Sequence, residues 1–282
     1  MTYNILYGGE GREDLIREVI QSVQPDIVVL QEVWSDKFIQ ALAQTLNMQG
    51  CFANSNVRSH VCFLSRHPVR RWHSHLNFPP LLHNAVEAEI EFQPGKILRL
   101  FGVHPVAFLG WPFEIWRMWE ARHIVGLTNH RSEPCIITGD FNAIAPQDRV
   151  VTSTMPRWLR LMLLAQGNRP YHFAMSQYLN AGLTDCFRCL NPSDDGFTLP
   201  PPTPNSRLDY ILVNDALKPF LKSAGSCVSR RPFSKPRITI RSLPNSTCNL
   251  FNQNPFHPFH PLTNLLARIF LSVYTCATSP TG

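Results

Sequence analysis

Over residues 12–23 apolar side chains recur at Leu15, Ile16, Val19, Ile20 and Val23, the spacing of one helical face. Gln24-Pro25-Asp26 then ends the helix before an unbroken apolar run over residues 27–30, which reads as a buried strand. Helix followed by buried strand is a layered pattern. Ser35 is placed to cap a second helix over residues 36–46, with Phe38, Ile39, Leu42 and Leu46 on one side. Residues 61–64 predict a short strand. Residues 85–92 alternate, Val86, Ala88, Ile90 and Phe92 facing one way and Glu87, Glu89 and Glu91 the other, so that strand belongs to a sheet with one solvated face. Pro94-Gly95 turns the chain into an apolar strand over residues 97–103, a hairpin that delivers His104 at its far end.

Farther along, residues 112–129 read as a Trp-rich amphipathic helix that packs Phe113, Trp116, Trp119, Ile124 and Leu127. It leads to a strand over residues 135–138. A helical stretch over residues 156–181 is expected to turn Trp158, Leu159, Met162 and Leu163 inward, and the turn-rich residues 191–204 approach a last strand over residues 208–213. No internal repeat and no Gly/Ser linker divides the first 215 residues, which fits one domain. Pattern alone supports mixed α/β with some antiparallel strands.

The candidate chemistry lies where these strands end. The run at 27–30 ends in Gln31-Glu32, and the strand at 135–138 ends in Gly139-Asp140-Phe141-Asn142. Two acids leaving buried strands point to a metal-assisted hydrolase, because a hard divalent ion binds oxygen ligands and activates water. Asp140 and Asn142 are the stronger signal, since one strand end exposes two polar side chains at one point. His60, His67, His73, His75 and His83 crowd a Pro-rich stretch at spacings that match no ligand pattern, and are read as surface residues.

In chain order, Thr2-Tyr3-Asn4-Ile5, Gln31-Glu32, Val103-His104, Gly139 to Asn142 and Arg207-Leu208-Asp209-Tyr210 resemble the endonuclease/exonuclease/phosphatase (DNase I-like) superfamily over roughly residues 2–215. The resemblance implies an α+β (α/β) fold, a four-layer sandwich of two mixed β-sheets flanked by helices, with the active site at one edge. It implies Mg²⁺ (or Mn²⁺) as cofactor, Glu32 as principal metal ligand, and Asn4 sharing that shell or holding phosphate. Asp140 would orient the attacking water and Asn142 would donate to the phosphate. His104 would contact the phosphate or assist the leaving group, and Asp209 would orient a catalytic His. Arg207 reaches phosphate or pairs with an acid. Ser65-Arg66-His67-Pro68 matches a structural turn of the superfamily. The His that Asp209 would serve belongs to a Ser-Asp-His motif that is missing here: residues 216–255 contain neither Asp nor His. His257 and His260, each flanked by prolines, are poor substitutes, and loss of such a group costs on the order of 10²–10⁴-fold in rate.

Charge divides the chain at the same place. The net charge is +6, yet residues 1–215 hold all 20 acids and 18 of the 26 Lys and Arg, while residues 216–282 hold eight cations and no acid. A near-neutral body argues against a nonspecific nuclease that tracks a nucleic-acid backbone. We therefore expect residues 1–221 to form the domain, lacking its last strand and catalytic His. Residues 222–282 would be a basic Pro/Ser/Asn-rich tail, disordered or the product of a reading-frame shift between about Lys222 and Arg230. The eight Cys form no disulfide framework and suit buried thiols in a reducing cytoplasm, and Cys186-Phe187-Arg188-Cys189 lacks a second pair at zinc-ribbon distance. No signal peptide or membrane span is evident, and Met1 stands so close to Asn4 that the first strand is expected to be short and the start clipped. The expected function is metal-dependent hydrolysis of a phosphoester, in nucleic acid or a small phosphodiester, impaired in this chain and with no stable protein partner. The alternative is a non-catalytic protein that keeps the fold and contacts nucleic acid or an anionic membrane through its tail.

Overall fold

The computed structural model describes residues 1–108, 110–128, 133–155, 157–165, 167, 170–199 and 205–226. Among these residues ten strands form two sheets. The first contains β1 (Thr2–Asn4), β2 (Ile27–Val33), β3 (Gln49–Cys51) and β4 (His60–Ser65) in the order β1-β2-β4-β3, with β1 and β2 parallel. The second contains β5 (Val69–His75), β6 (Ala85–Gln93), β7 (Lys96–Val103), β8 (Cys135–Asp140), β9 (Thr184–Asp185) and β10 (Asp209–Val213) in the order β5-β6-β7-β8-β10-β9, with only β7 and β8 parallel.

The sheets pack face to face. Val29, Val61 and Phe63 of the first meet Val86, Ile90, Leu100 and Ile211 of the second. A side chain on Gly102 would sit within 3 Å of Val86 and Val29, so glycine there permits the close approach of the layers. Outside the first sheet lie α1 (Glu13–Val23) and α2 (Asp36–Leu46), which bury Ile16, Ile20, Ile39 and Leu42 against Val28, Leu30 and Leu64. Outside the second lie α3 (Trp111–Leu127) and α5 (Phe173–Asn180), which bury Ala121, Ile124, Met175 and Tyr178 against Phe101, Ile137 and Leu212. Each Ile, Leu or Met among these contributes about 1.5–3 kcal/mol when fully buried, and the helices are held by this face rather than by propensity. The result is the four-layer α+β sandwich that the resemblance implies.

Three local expectations are corrected, and one strand was not anticipated. Ser35 precedes α2 but makes no side-chain cap bond. α3 buries Glu114, Arg117 and Glu120 beside Ala121 and Ile124, while Trp119 is 54% exposed. Its inward charges are satisfied: Glu114 accepts from Arg117 and from the Ala174 N–H, and Arg117 donates to the carbonyls of Val106 and Phe108. The 156–181 stretch is two helices, α4 (Arg157–Ala165) and α5, and Trp158 on α4 faces solvent. Finally, β5 carries the sequence Val-Arg-Arg-Trp-His-Ser-His, which has no apolar alternation. Cross-strand pairs hold it instead: Arg70 with Glu91, Arg71 with Glu89 and His75 with Glu87. The tail from residue 227 onward and the turn residues 200–204 lie outside the described residues.

Candidate active site

Strands from both sheets end at one edge, and there the side chains of Asn4, Glu32 and Asp140 meet. The Asn4 amide nitrogen donates to Glu32 Oε1 and to Asp140 Oδ2, each at 3.0 Å, so one neutral group bridges carboxylates 108 positions apart in the chain. Both amide hydrogens are thereby used, and Asn4 Oδ1 accepts from the Leu6 N–H at 2.9 Å. As oriented, Asn4 is a clamp on the two acids, with its oxygen engaged by the Leu6 N–H.

Backbone geometry aims these groups. Glu32 occupies an irregularity of β2, where pairing with β4 shifts register between Leu30 and Val33, and its φ is 59°. A left-handed residue within a strand costs energy and turns a side chain out of the pleat. The Tyr7 N–H then donates to Glu32 Oε2 at 2.8 Å. At the end of β8, a β-carbon on Gly139 would lie 1.9 Å from the Val103 carbonyl oxygen, so only glycine lets β8 run this close to β7. Val103 and Gly139 are register partners, which puts the next residues, His104 and Asp140, side by side. His104 Nε2 stands 4.0 Å from Asp140 Oδ2. Asn142, with φ 49°, donates its backbone N–H to Asp140 Oδ1 and one amide hydrogen to the Pro105 carbonyl, both at 3.0 Å, which leaves its second amide hydrogen for a ligand.

Asp209 opposes Asp140 directly across the β8/β10 ladder. Burial, and then the like charge of Asp140, hold its carboxyl well above the usual range, and its Oδ1 has no hydrogen-bond partner. Asp140 is itself pushed up to about 6 by burial. His104 is buried, and desolvation pulls its imidazole down to about 4, so it is neutral near pH 7, with Nδ1 unpartnered.

Arg207 lies elsewhere. Its guanidinium, 1% exposed, donates to Asp148 Oδ2 at 3.0 Å and Oδ1 at 2.8 Å and to Asp185 Oδ1 at 2.9 Å. Of the two roles considered for it, the structure shows acid pairing. The expectation of phosphate contact is corrected, because these buried acids take the guanidinium inward.

Two residues that reading the sequence missed complete the setting. His83, placed among surface histidines, stacks on His104 with ring centroids 4.5 Å apart and planes 21° apart, and burial pulls it down to about 4. The signal was available: reading the hairpin register back from Pro94-Gly95 brings residues just before β6 beside residues just after β7. Glu120 of α3 accepts from the N–H groups of Leu82 and Val106 at 3.1 and 3.0 Å, tying down the two segments that carry these rings. Burial pushes its carboxyl up to about 7. Its trace in the sequence was the spacing of Glu114, Arg117 and Glu120 along one side of α3.

The donor set fits a hard divalent cation: Glu32 and Asp140 supply only carboxylate oxygens, and each keeps free lone pairs beside its hydrogen bonds. Among the described residues no three His, Cys, Asp or Glu side chains form a closed cage. Two carboxylates suit an ion that keeps much of its water. Cys51, Cys62, Cys135 and Cys186 are free and buried, and Cys189 is free and exposed.

Comparison with known proteins agrees with this architecture. A 3′ phosphatase from Neisseria, solved with a product DNA hairpin, superposes with a TM-score of 0.60 at 21% identity, covering 79% of this chain and 88% of the other. An AP endonuclease from Archaeoglobus fulgidus gives 0.60 at 19% identity, covering 77% and 86%. Identity this low speaks for the fold. Human sphingomyelin phosphodiesterase 2 is 23% identical over 170 residues, 52% of this chain, and the chain spans only 40% of that relative's length. The family model for the endonuclease/exonuclease/phosphatase family matches residues 1–262, which take in every residue of the cluster around Asn4. A sandwich whose two sheets join their acids through one amide, matched to that model along most of its length, makes this chain a member of the endonuclease/exonuclease/phosphatase family.

Proposed function

We propose that this chain hydrolyses phosphoester bonds with a divalent ion, Mg²⁺ or Mn²⁺, at the Asn4–Glu32–Asp140 cluster. The observation that carries the reading is the Asn4 amide bridging Glu32 and Asp140, which holds two acids from different sheets at one edge. Membership of a family whose relatives include a phosphatase, an endonuclease and a phosphodiesterase supports the reaction class.

Glu32 and Asp140 would hold the ion. When bound, it supplies positive charge to a non-bridging phosphate oxygen and makes its water more acidic. Asp140, fixed by the Asn4 amide and the Asn142 N–H, would orient the attacking water. Asn142 keeps one amide hydrogen for the phosphate as negative charge builds there. His104, neutral and stacked on His83, offers an N–H donor to a phosphate oxygen rather than a permanent charge. Asp209 backs Asp140 and takes part through it. With no Asp or His over residues 216–255, the leaving oxygen lacks the general acid that the Ser-Asp-His motif would supply, so turnover is expected to be low.

The test is a panel of nucleic-acid and small phosphodiester substrates with Mg²⁺ or Mn²⁺, repeated with a chelator and with Asp140→Ala. Hydrolysis that disappears on chelation and in the variant supports the assignment; hydrolysis that survives Asp140→Ala refutes it.

A further inference from the structure

α4 is nine residues long and contains no buried residue. Leu159, Met162 and Leu163 are half-buried beneath it, whereas Trp158, Leu161 and Leu164 are 58%, 66% and 60% exposed, and Arg157 and Arg160 are exposed with them. The Met162 methyl group lies 3.9 Å from where a β-carbon on Gly110 would be, so α4 rests on the segment that enters α3. That segment adds two more exposed aromatic rings, Phe108 and Trp111, each 61% exposed. It also leads directly from the candidate site: Phe108 follows His104 by four residues, and between them the Pro105 carbonyl holds Asn142. A contiguous apolar surface therefore runs over α4 and the segment on which it rests, which continues from the strand-end cluster. Contiguity of this kind marks an interaction surface, whereas scattered exposed apolar residues do not.

Charge selects the partner. Arg157 and Arg160 are the charges of α4, which carries no Asp or Glu. We propose that this face docks on an anionic lipid bilayer. Trp158, Leu161 and Leu164 enter the boundary between headgroups and acyl chains together with Phe108 and Trp111, and Arg157 and Arg160 reach the lipid phosphates. A helix with Trp and Leu on one side and only cations among its charges has the composition of an interfacial helix, and Trp favours that depth. A protein partner would ordinarily call for a rim of both signs, and a nucleic-acid backbone would give Leu161 and Leu164 nothing to bury. A sheet of uniform negative charge over hydrocarbon satisfies both halves of the surface. The inference rests on exposure and charge and is independent of the hydrolytic reading.

Cosedimentation of the full chain with vesicles tests it, using phosphatidylcholine alone and phosphatidylcholine with phosphatidylglycerol. The expected result is binding that rises with phosphatidylglycerol. In Trp158→Ser/Leu161→Ser/Leu164→Ser it falls by roughly tenfold or more, with the thermal melt unchanged because these side chains are already in water. Arg157→Gln/Arg160→Gln, which leaves the apolar face alone, should lose the preference for the anionic vesicles. Trp72→Ser, on edge strand β5 among Gln40, Ala43 and Arg70, should bind like the parent. Failure to bind either vesicle overturns the proposal. So does binding that the α4 variants leave untouched, which would assign it to the eight cations of residues 216–282. A parent that is a dimer in sedimentation velocity, becomes monomeric in the triple variant and ignores vesicles would show a second copy to be the occupant, and overturns it as well.

Discussion

Two groups of buried charge lie a few residues apart along β10 and its approach, and they are built to opposite ends. Around Arg207 opposite charges are matched, and of the Arg188 guanidinium only Nε lacks a partner: Asp148 accepts from Arg207, Arg188 and the Tyr210 hydroxyl, and Asp185 takes the other side of the Arg207 guanidinium and the Arg188 backbone N–H. The Arg207 guanidinium also lies 4.3 Å over the Tyr210 ring. Around Asp140 the accounts are left open. Two carboxylates oppose each other across the ladder, Asp209 Oδ1 and His104 Nδ1 have no partner, and the nearest positive candidates are imidazoles held neutral by burial. Unpaired polar groups in a dry setting cost stability and are kept where a ligand completes them. The paired cluster is scaffold; the unpaired one is where the proposed reaction would place its ion and phosphate.

The sharpest way to break the comparison is to truncate the paired side. Arg207→Ala leaves Asp148 and Asp185 buried without their main partner and should cost about 3–5 kcal/mol in urea unfolding. A loss below about 1 kcal/mol would mean that the network is incidental. On the other side, Asp140→Ala should lower any phosphodiester hydrolysis by on the order of 10²–10³-fold with little loss of stability, because the carboxyl removed is one that burial already disfavours.

Glu120 joins the two regimes, since it is satisfied by two backbone N–H groups yet raised to about 7. A carboxyl raised on folding contributes stability that is complete below its unfolded value near 4.5 and is lost as pH climbs through about 7. Relative to Glu120→Gln, which cannot titrate, the parent should therefore lose roughly 2–3 kcal/mol between pH 5 and pH 8. Parallel slopes in paired urea titrations would reject this. The smallest expected effect is that of Asp209→Asn. It replaces a buried carboxyl, already held well above its usual range beside Asp140, with a neutral group of the same shape, and should change stability by no more than about 1 kcal/mol at pH 7 while lowering activity. Asp148→Asn, the same exchange within the paired network, is the control that should cost more.

How much of this could be read beforehand follows from the range of each interaction. The strands ending at Glu32 and Asp140 and the helices α1 and α2 were legible because burial on one face imposes a period on neighbouring residues. β5 was not, since it is held by ion pairs to β6 that leave no period in its own sequence. α3 misled for a related reason: its aromatic residues suggested the inward face, while Glu114, Arg117 and Glu120 turn inward to satisfy loop backbone that is distant in the chain.

The chain's own order of residues determined which types could do chemistry and at which strand ends they would stand, because apolar runs and the polar residues that close them are local. Only the tertiary structure decided that Asn4 bridges Glu32 and Asp140, that His83 stacks on His104, and that Arg207 turns toward Asp148 and Asp185. Those choices depend on which strands become neighbours and in what register, and a shift of one residue would send each side chain to the opposite face.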